Sequence, residues 1–382
     1  MTSSLIILHT ESHRQWGGQE MRVFHEGRWM RRKGHQVILA APGDTPLYER
    51  ARADGWETHP VAFTRLSMAG DFFKIRALLK QVRPHVLNTH GNTDGKAALA
   101  AAWGLDIPCV IRSRHYTAPV RNSWYNRLLY QKLCHCVFTT AGSTTTQLVQ
   151  DLGIPQDRCM TLPTGIAPPS DLPDRDTARQ SLARELGLGP DARFIGFVGR
   201  LSPDKGLSIF IQAFAAIRDA IPSHHIVLIG IGSEREALEH LAQTLGLGDR
   251  VHFTGYVENP WPYFRALDCH VIASLKYEGV PQTLLQAMFA QCPVVGTEIG
   301  GIREVITHEN TGILVPPDNA QALADAILTL LKNSGLSQSL VQKALDVVTA
   351  RYTLDAMGER ILEIYERIMP DPALIPGIDS RH

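Results

Sequence analysis

The apolar positions of the chain fall into short runs, not long stripes. Leu5-Ile6-Ile7-Leu8, Val37-Ile38-Leu39-Ala40, the segment 84–89 around Val86-Leu87, Cys109-Val110-Ile111-Arg112 and Val137-Phe138-Thr139-Thr140 are each bounded by polar or glycine-containing segments. That is the pattern of strands buried on both faces, as in a parallel sheet. Helical spacing lies between them: about 19–33, stopped by Gly34; 97–103, rich in alanine; and a helix opened by Ser143 as its cap and ended at Gly153. The alternation begins again further on, with strands at 194–198, 226–229, 251–253, 270–273, 293–297 and 313–315. Helices at 207–221, 234–245, 284–291 and 320–331 separate them. Strands alternating with helices predict an α/β protein with parallel, doubly wound sheets.

Between the two sets, residues 163–176 lose apolar periodicity and gather prolines and acids, which marks a linker. Asp174-Arg175-Asp176 lies there, with Asp176 or Thr177 expected to cap the next helix rather than to ligate a metal. A last helix, about 354–369, lies beyond the end of the second set. The tail 370–382, with three prolines, is expected to carry no fixed structure. The expected domains are therefore 1–172 and 176–350, with the last helix packing back on the first.

Composition adds limits. A chain of 382 residues suggests two domains, and 44% hydrophobic with 20% charged residues fits a globular protein. A formal net charge of zero gives no footprint for nucleic acid. The six cysteines offer one close pair, Cys134 and Cys136, and no second pair to complete a zinc site. They read as buried free thiols of a reducing, cytoplasmic compartment. The first apolar run is too short for a secretion signal or a membrane span.

Candidate chemistry sits at strand ends. Glu278-Gly279-Val280-Pro281-Gln282-Thr283 leads into an apolar helix whose first N–H groups and dipole suit an anion. Upstream, Gly199-Arg200-Leu201 and Lys205-Gly206 place two cations after a strand. Alone, Arg200 and Lys205 would read as solvated surface charge; beside Glu278 and the turn they read as a cradle for a sugar diphosphate. Gly17-Gly18 opens the first helix, and Arg114-His115-Tyr116 ends a first-domain strand.

Together, Gly17-Gly18-Gln19-Glu20, Gly199-Arg200-Leu201 with Lys205-Gly206, Glu278-Gly279-Val280-Pro281, and Gly300-Gly301 with Glu304 resemble the retaining nucleotide-sugar glycosyltransferases of family 4. The resemblance covers nearly the whole chain. It implies the GT-B architecture, two facing Rossmann-like domains with an active-site cleft between them. It also implies sugar transfer from a nucleotide diphosphate to a hydroxyl of a glycan or lipid-linked acceptor, in lipopolysaccharide or surface-polysaccharide synthesis, without metal or other cofactor. By resemblance, Gly17, Gly18, Gly232, Gly279, Val280, Pro281, Gln282, Thr283 and Gln286 line the donor site. Arg200 and Lys205 neutralise its phosphates, Glu278 holds donor-sugar hydroxyls, and His115 faces the reacting sugar. His90 and Arg114 are weaker acceptor-side candidates.

Some positions depart from the family. Gln286 stands where a ribose-binding Glu is usual, Pro163-Thr164-Gly165-Ile166-Ala167 replaces the usual Pro-Asn-Gly-Ile-Asp, and the Gly230–Gly232 loop lacks a frequent proline. A nucleotide-sugar epimerase of similar fold and a catalytically silent binding protein remain as alternatives. The basic, aromatic stretch Arg121, Trp124, Tyr125, Arg127, Leu128, Leu129, Tyr130, Lys132 reads either as a peripheral contact with an anionic membrane or as a helix packed on the sheet.

Overall fold

A computed structural model describes residues 4–369; the tail 370–382 lies outside the described residues. Contacts divide the chain into one unit of residues 1–165 with 354–382, and a second of 166–353. The first division falls before the expected 172, because Ile166 already pairs with Thr353 and its N–H donates to Tyr352 O of the second unit at 2.8 Å.

The first unit holds strands β1 (Ile6–Thr10), β2 (Gln36–Ala41), β3 (Glu57–Pro60), β4 (Val86–Thr89), β5 (Cys109–Arg114), β6 (Cys136–Thr139) and β7 (Cys159–Thr161), all parallel, in the order β3-β2-β1-β4-β5-β6-β7. The second holds β8 (Arg193–Val198), β9 (His224–Ile229), β10 (Val251–Gly255), β11 (Cys269–Ile272), β12 (Val294–Thr297) and β13 (Ile313–Val315), in the order β10-β9-β8-β11-β12-β13. Chain order reverses beside β1 in one sheet and beside β8 in the other. Connections leave a ligand-sized opening at the carboxyl edge of such switch points.

Several expectations are corrected. Nothing was expected over 46–82, but helices occupy Pro46–Ala53 and Met68–Val82, with β3 between them. A further helix spans Ser334–Arg351. The helix expected at 97–103 spans Asn92–Ala102, because its polar first turn resembles a loop in sequence. Ala141, not Ser143, stands at the start of Gly142–Leu152. The helix Arg175–Glu185 is capped by Asp174, whose carboxylate accepts from Thr177 N at 2.9 Å and Thr177 Oγ1 at 2.6 Å. All six cysteines are buried and unpaired.

One apolar layer of the first sheet binds the chain's last described helix. Leu354–Ile368 turns Met357, Ile361, Ile364 and Tyr365 onto Trp29, Met30 and the sheet residues Ile7 and Val86. Trp29 Nε1 donates to Asp355 at 2.6 Å. A Cβ at Gly358 would stand 2.4 Å from the Trp29 ring, so only glycine admits the indole there. The exposed Lys33–Glu359 contact, 2.6 Å, adds little. Replacing Gly358 by Leu overpacks this seam. A loss of about 2 kcal/mol or more in urea denaturation is expected; an unchanged midpoint would show that the seam does not close on Trp29.

Candidate functional site

In the second unit, the loops after β8, β11 and β12 are laced together by backbone bonds: Leu275 N donates to Asp204 O at 2.8 Å, and Gly301 N to Glu278 O at 2.9 Å. Pro203–Lys205 forms one tight helical turn, ended by Gly206 at φ +62°. A Cβ there would meet Ala273 O at 2.1 Å, and one at Gly300, φ +42°, would meet Glu278 O at 2.0 Å. Glycine is required at both positions by conformation and by space. The result brings Lys205 Nζ to 2.6 Å from Glu278 Oε2, where Ser274 Oγ also donates at 2.7 Å. Ser274 is fully buried, and its carbonyl accepts from Thr297 Oγ1 at 2.7 Å. Glu278 Oε1 has no partner among the described residues, so one carboxylate oxygen is anchored and the other is open to a ligand.

Gly279 and Val280 then lead to Pro281 at the start of the helix Gln282–Phe289, which carries Thr283 in its first turn and the buried Gln286 in its second. Its N-terminal end carries the helix's partial positive charge close in sequence to Glu278. Arg200 is exposed at the end of β8 and has no side-chain partner among the described residues. Gly232 lies on the loop after β9, tight against Leu201: a Cβ there would be 2.0 Å from Leu201 O. Exposed Glu304 lies in the short helix Ile302–Val305.

In the first unit, β1, β4 and β5 bring three histidines into line. His9 Nδ1 lies 2.8 Å from His90 Nε2, and His90 Nδ1 lies 2.9 Å from His115 Nε2, with successive rings stacked. His9 and His90 are buried and His115 is half-buried. Burial lowers all three below the usual imidazole range, His9 to about 4. The Arg114 guanidinium holds Ala118 O and reaches Tyr130 Oη at 3.5 Å. Gly17 N donates to Glu20 Oε2 at 2.8 Å, so that amide is occupied by its own helix cap; Gly18 follows as the first helical residue.

Sequence reasoning missed His9, Glu11, Asp94 and Ser274. Thr10 Oγ1 and His90 N both donate to Asp94 Oδ2, at 2.8 and 3.1 Å. Asp94 Oδ1, buried without a donor, and Glu11 Oε1 converge over Gly91, where a Cβ would stand 2.4 and 2.7 Å from them. Burial first, then the Asp94 charge, pushes Glu11 up to about 8. A signal for His9 and Glu11 was available: both flank the carboxyl end of the first strand, at a switch point. Neither residue type is unusual there, so the sequence alone does not select them.

Comparison with known proteins places this architecture. Residues 16–168 match the family model "Glycosyltransferase Family 4" and residues 178–347 match "Glycosyl transferases group 1". Two parallel Rossmann-like units of this order make a GT-B fold. The chain belongs to the family 4 glycosyltransferases. It is 31% identical over 196 residues to the alpha-D-kanosaminyltransferase of Streptomyces kanamyceticus, covering 51% of this chain and 50% of that one. It is 29% identical over 194 residues to the lipopolysaccharide core biosynthesis mannosyltransferase LpsB of Rhizobium meliloti, covering 49% and 55%. The matches thus span little more than half of these curated relatives. In fold it is similar to Anabaena Alr3699/HepE in complex with UDP, with TM-score 0.83 and 18% identity over 95% of this chain and 100% of that one. A glycosyltransferase from Rickettsia africae gives TM-score 0.84 at 17% identity over 96% and 98%.

The buried Glu11 has a stability consequence. Its folded pKa, about 8, lies above the ordinary 4.5, so its contribution is full below pH 4.5 and is lost as pH rises to 8. Glu11→Gln is close to Glu11 in shape and does not ionise. Chemical denaturation from pH 4.5 to 8.5 should show wild type losing stability relative to this variant up to about pH 8, then running parallel to it. Parallel curves throughout would mean that Glu11 ionises normally.

Proposed function

We propose that the chain is a glycosyltransferase that moves a sugar from a nucleotide-diphosphate donor to a hydroxyl of a glycan or lipid-linked acceptor, with retention of anomeric configuration and without a metal. The observation that carries this reading is Glu278, fixed through Oε2 by Lys205 and Ser274 and open at Oε1, directly before a helix N-terminus. The open oxygen suits a sugar hydroxyl, and the helix amides and Lys205 suit a diphosphate. In the reaction, the bond between the anomeric carbon and the diphosphate oxygen breaks and the acceptor oxygen bonds to that carbon from the same face. The acceptor's proton passes to the departing phosphate. Charge growing on the leaving oxygen is met by fixed amides and cations, which need no reorganisation.

The likeness to the lipopolysaccharide core mannosyltransferase LpsB supports an acceptor in lipopolysaccharide or surface-polysaccharide synthesis, and the UDP-bound neighbour makes UDP the first diphosphate to try. With UDP, GDP, ADP and CDP each in excess, one should stabilise the protein selectively. Saturation at a hundredfold Kd adds about 2.7 kcal/mol. Lys205→Ala should reduce that shift and the transfer rate together. Transfer should survive EDTA and give a product whose anomeric configuration, read by NMR, matches the donor's. A diphosphate-insensitive melting curve, or binding with no transfer to any glycan acceptor, would overturn the reading.

The same reading places the enzyme at the inner face of the cytoplasmic membrane. Among the described residues no helix is long and apolar enough to cross a membrane. In the basic stretch, Leu129 and Tyr130 pack into the core, while Trp124 and Leu128 are exposed together with Arg121, Arg127 and Lys132. Binding to vesicles containing anionic lipid is therefore expected, and it should weaken in Arg121→Glu with Arg127→Glu. Equal sedimentation with neutral and anionic vesicles would exclude this contact.

A further inference from the structure

The line of histidines in the first unit determines which nitrogen of His115 carries its proton. We infer that His9 and His90 act as positioning residues that hold His115 as the Nδ1–H tautomer, so that it meets the reacting sugar as a hydrogen-bond donor and not as a base. The sugar-facing part of this inference rests on the glycosyltransferase reading of the site; the tautomer does not.

The argument is a proton count. Each neutral imidazole has one N–H and one acceptor nitrogen. Two short N···N contacts join the three rings, at 2.8 and 2.9 Å, and each requires one proton between its nitrogens. His90 takes part in both, so it must donate in one and accept in the other. The bonds therefore run in a single direction, and the third proton lies at one end of the line: on His9 Nε2 or on His115 Nδ1. A further proton is disfavoured by burial and by the cations facing the line, Arg22, Arg112, Arg114 and His13.

The two ends are not equivalent. His9 is wholly buried, and its Nε2 has no hydrogen-bond partner. An N–H there would be an orphaned donor in a low-dielectric interior, a feature folded proteins rarely tolerate. His115 is half-buried, so its Nδ1–H can reach water or a ligand. The proton therefore belongs on His115 Nδ1. His9 Nδ1–H then donates to His90 Nε2, and His90 Nδ1–H donates to His115 Nε2. With its lone pair spent on His90, His115 cannot take a proton from the acceptor. That task falls to the departing phosphate.

The two directions give opposite spectra. In uniformly ¹⁵N-labelled full-length protein, two-bond ¹H–¹⁵N correlation of the imidazoles should show His9, His90 and His115 all protonated at Nδ1 near pH 7. The His115 signals are assigned by their loss in His115→Asn. All three protonated at Nε2, or His115 doubly protonated, would overturn the inference. Transfer kinetics provide a second arm. Asn places an amide N–H near the Nδ1 position, whereas Asp has a similar shape but only accepts. His115→Asn should retain about tenfold or more of the kcat that His115→Asp loses, with little pH dependence between 6 and 8. An Asp variant as fast as the Asn variant would also overturn the inference. If wild type shows the Nδ1–H pattern but no transfer, the proposed function fails and the tautomer stands.

Discussion

The governing constraint is the direction of the strands. In both sheets every strand points the same way and the central strands are buried on both faces, so polar side chains there can stand free only at strand ends. Where chain order reverses, at β1/β4 and at β8/β11, the outgoing loops part and the ends are left open. The polar groups described in each unit follow from this. His9, Thr10 and Glu11 end or follow β1, and His90 and Asp94 follow β4. Lys205 comes on the loop after β8, and Ser274 and Glu278 on the loop after β11.

The two units meet this constraint with different chemistry. In the second unit the loops lie against one another so closely that backbone meets backbone, as at Gly206 against Ala273 and Gly300 against Glu278. Such a cradle is rigid, and its amides do not titrate. In the first unit the polar groups are side chains that hold one another, His9 to His90 to His115 and Thr10 to Asp94. A network of this kind fixes orientation only while its members keep the right protons, and burial moves those pKa values far from their ordinary range.

That difference explains what was legible in the sequence. The second unit's cradle depends on glycines at fixed places in loops, and Gly199, Gly206, Gly232, Gly279 and Gly300 stand out as letters. Lys205 and Glu278, 73 positions apart, could be paired on that basis. The line of histidines could not: His90 was an acceptor-side candidate, but nothing links it to His115, or distinguishes His9 among 16 histidines, until β1, β4 and β5 lie side by side. Among the elements, strands with apolar runs were legible. β3, with sequence Glu-Thr-His-Pro, was not, because an edge strand that is half exposed needs no apolar face. The Asn92–Ala102 helix was clipped for a related reason: its first turn is polar, with Asp94 pointing into the site instead of outward.

The Lys205–Glu278 contact is better understood as orientation than as stabilisation. A mostly buried ion pair recovers little net free energy, because desolvating both charges offsets their attraction. What it does accomplish is geometric. Lys205 and Ser274 converge on Oε2, so the carboxylate cannot rotate freely and Oε1 has a defined direction. The same contact engages one of the three ammonium protons of Lys205 and compensates part of its charge. In the proposed reaction, Lys205 therefore meets a diphosphate already partnered, with its remaining protons to give. Arg200, exposed and without a side-chain partner among the described residues, brings a guanidinium that no carboxylate has claimed. Lys205 would then contribute position and Arg200 uncompensated charge, which gives two neighbouring cations on one loop distinct work.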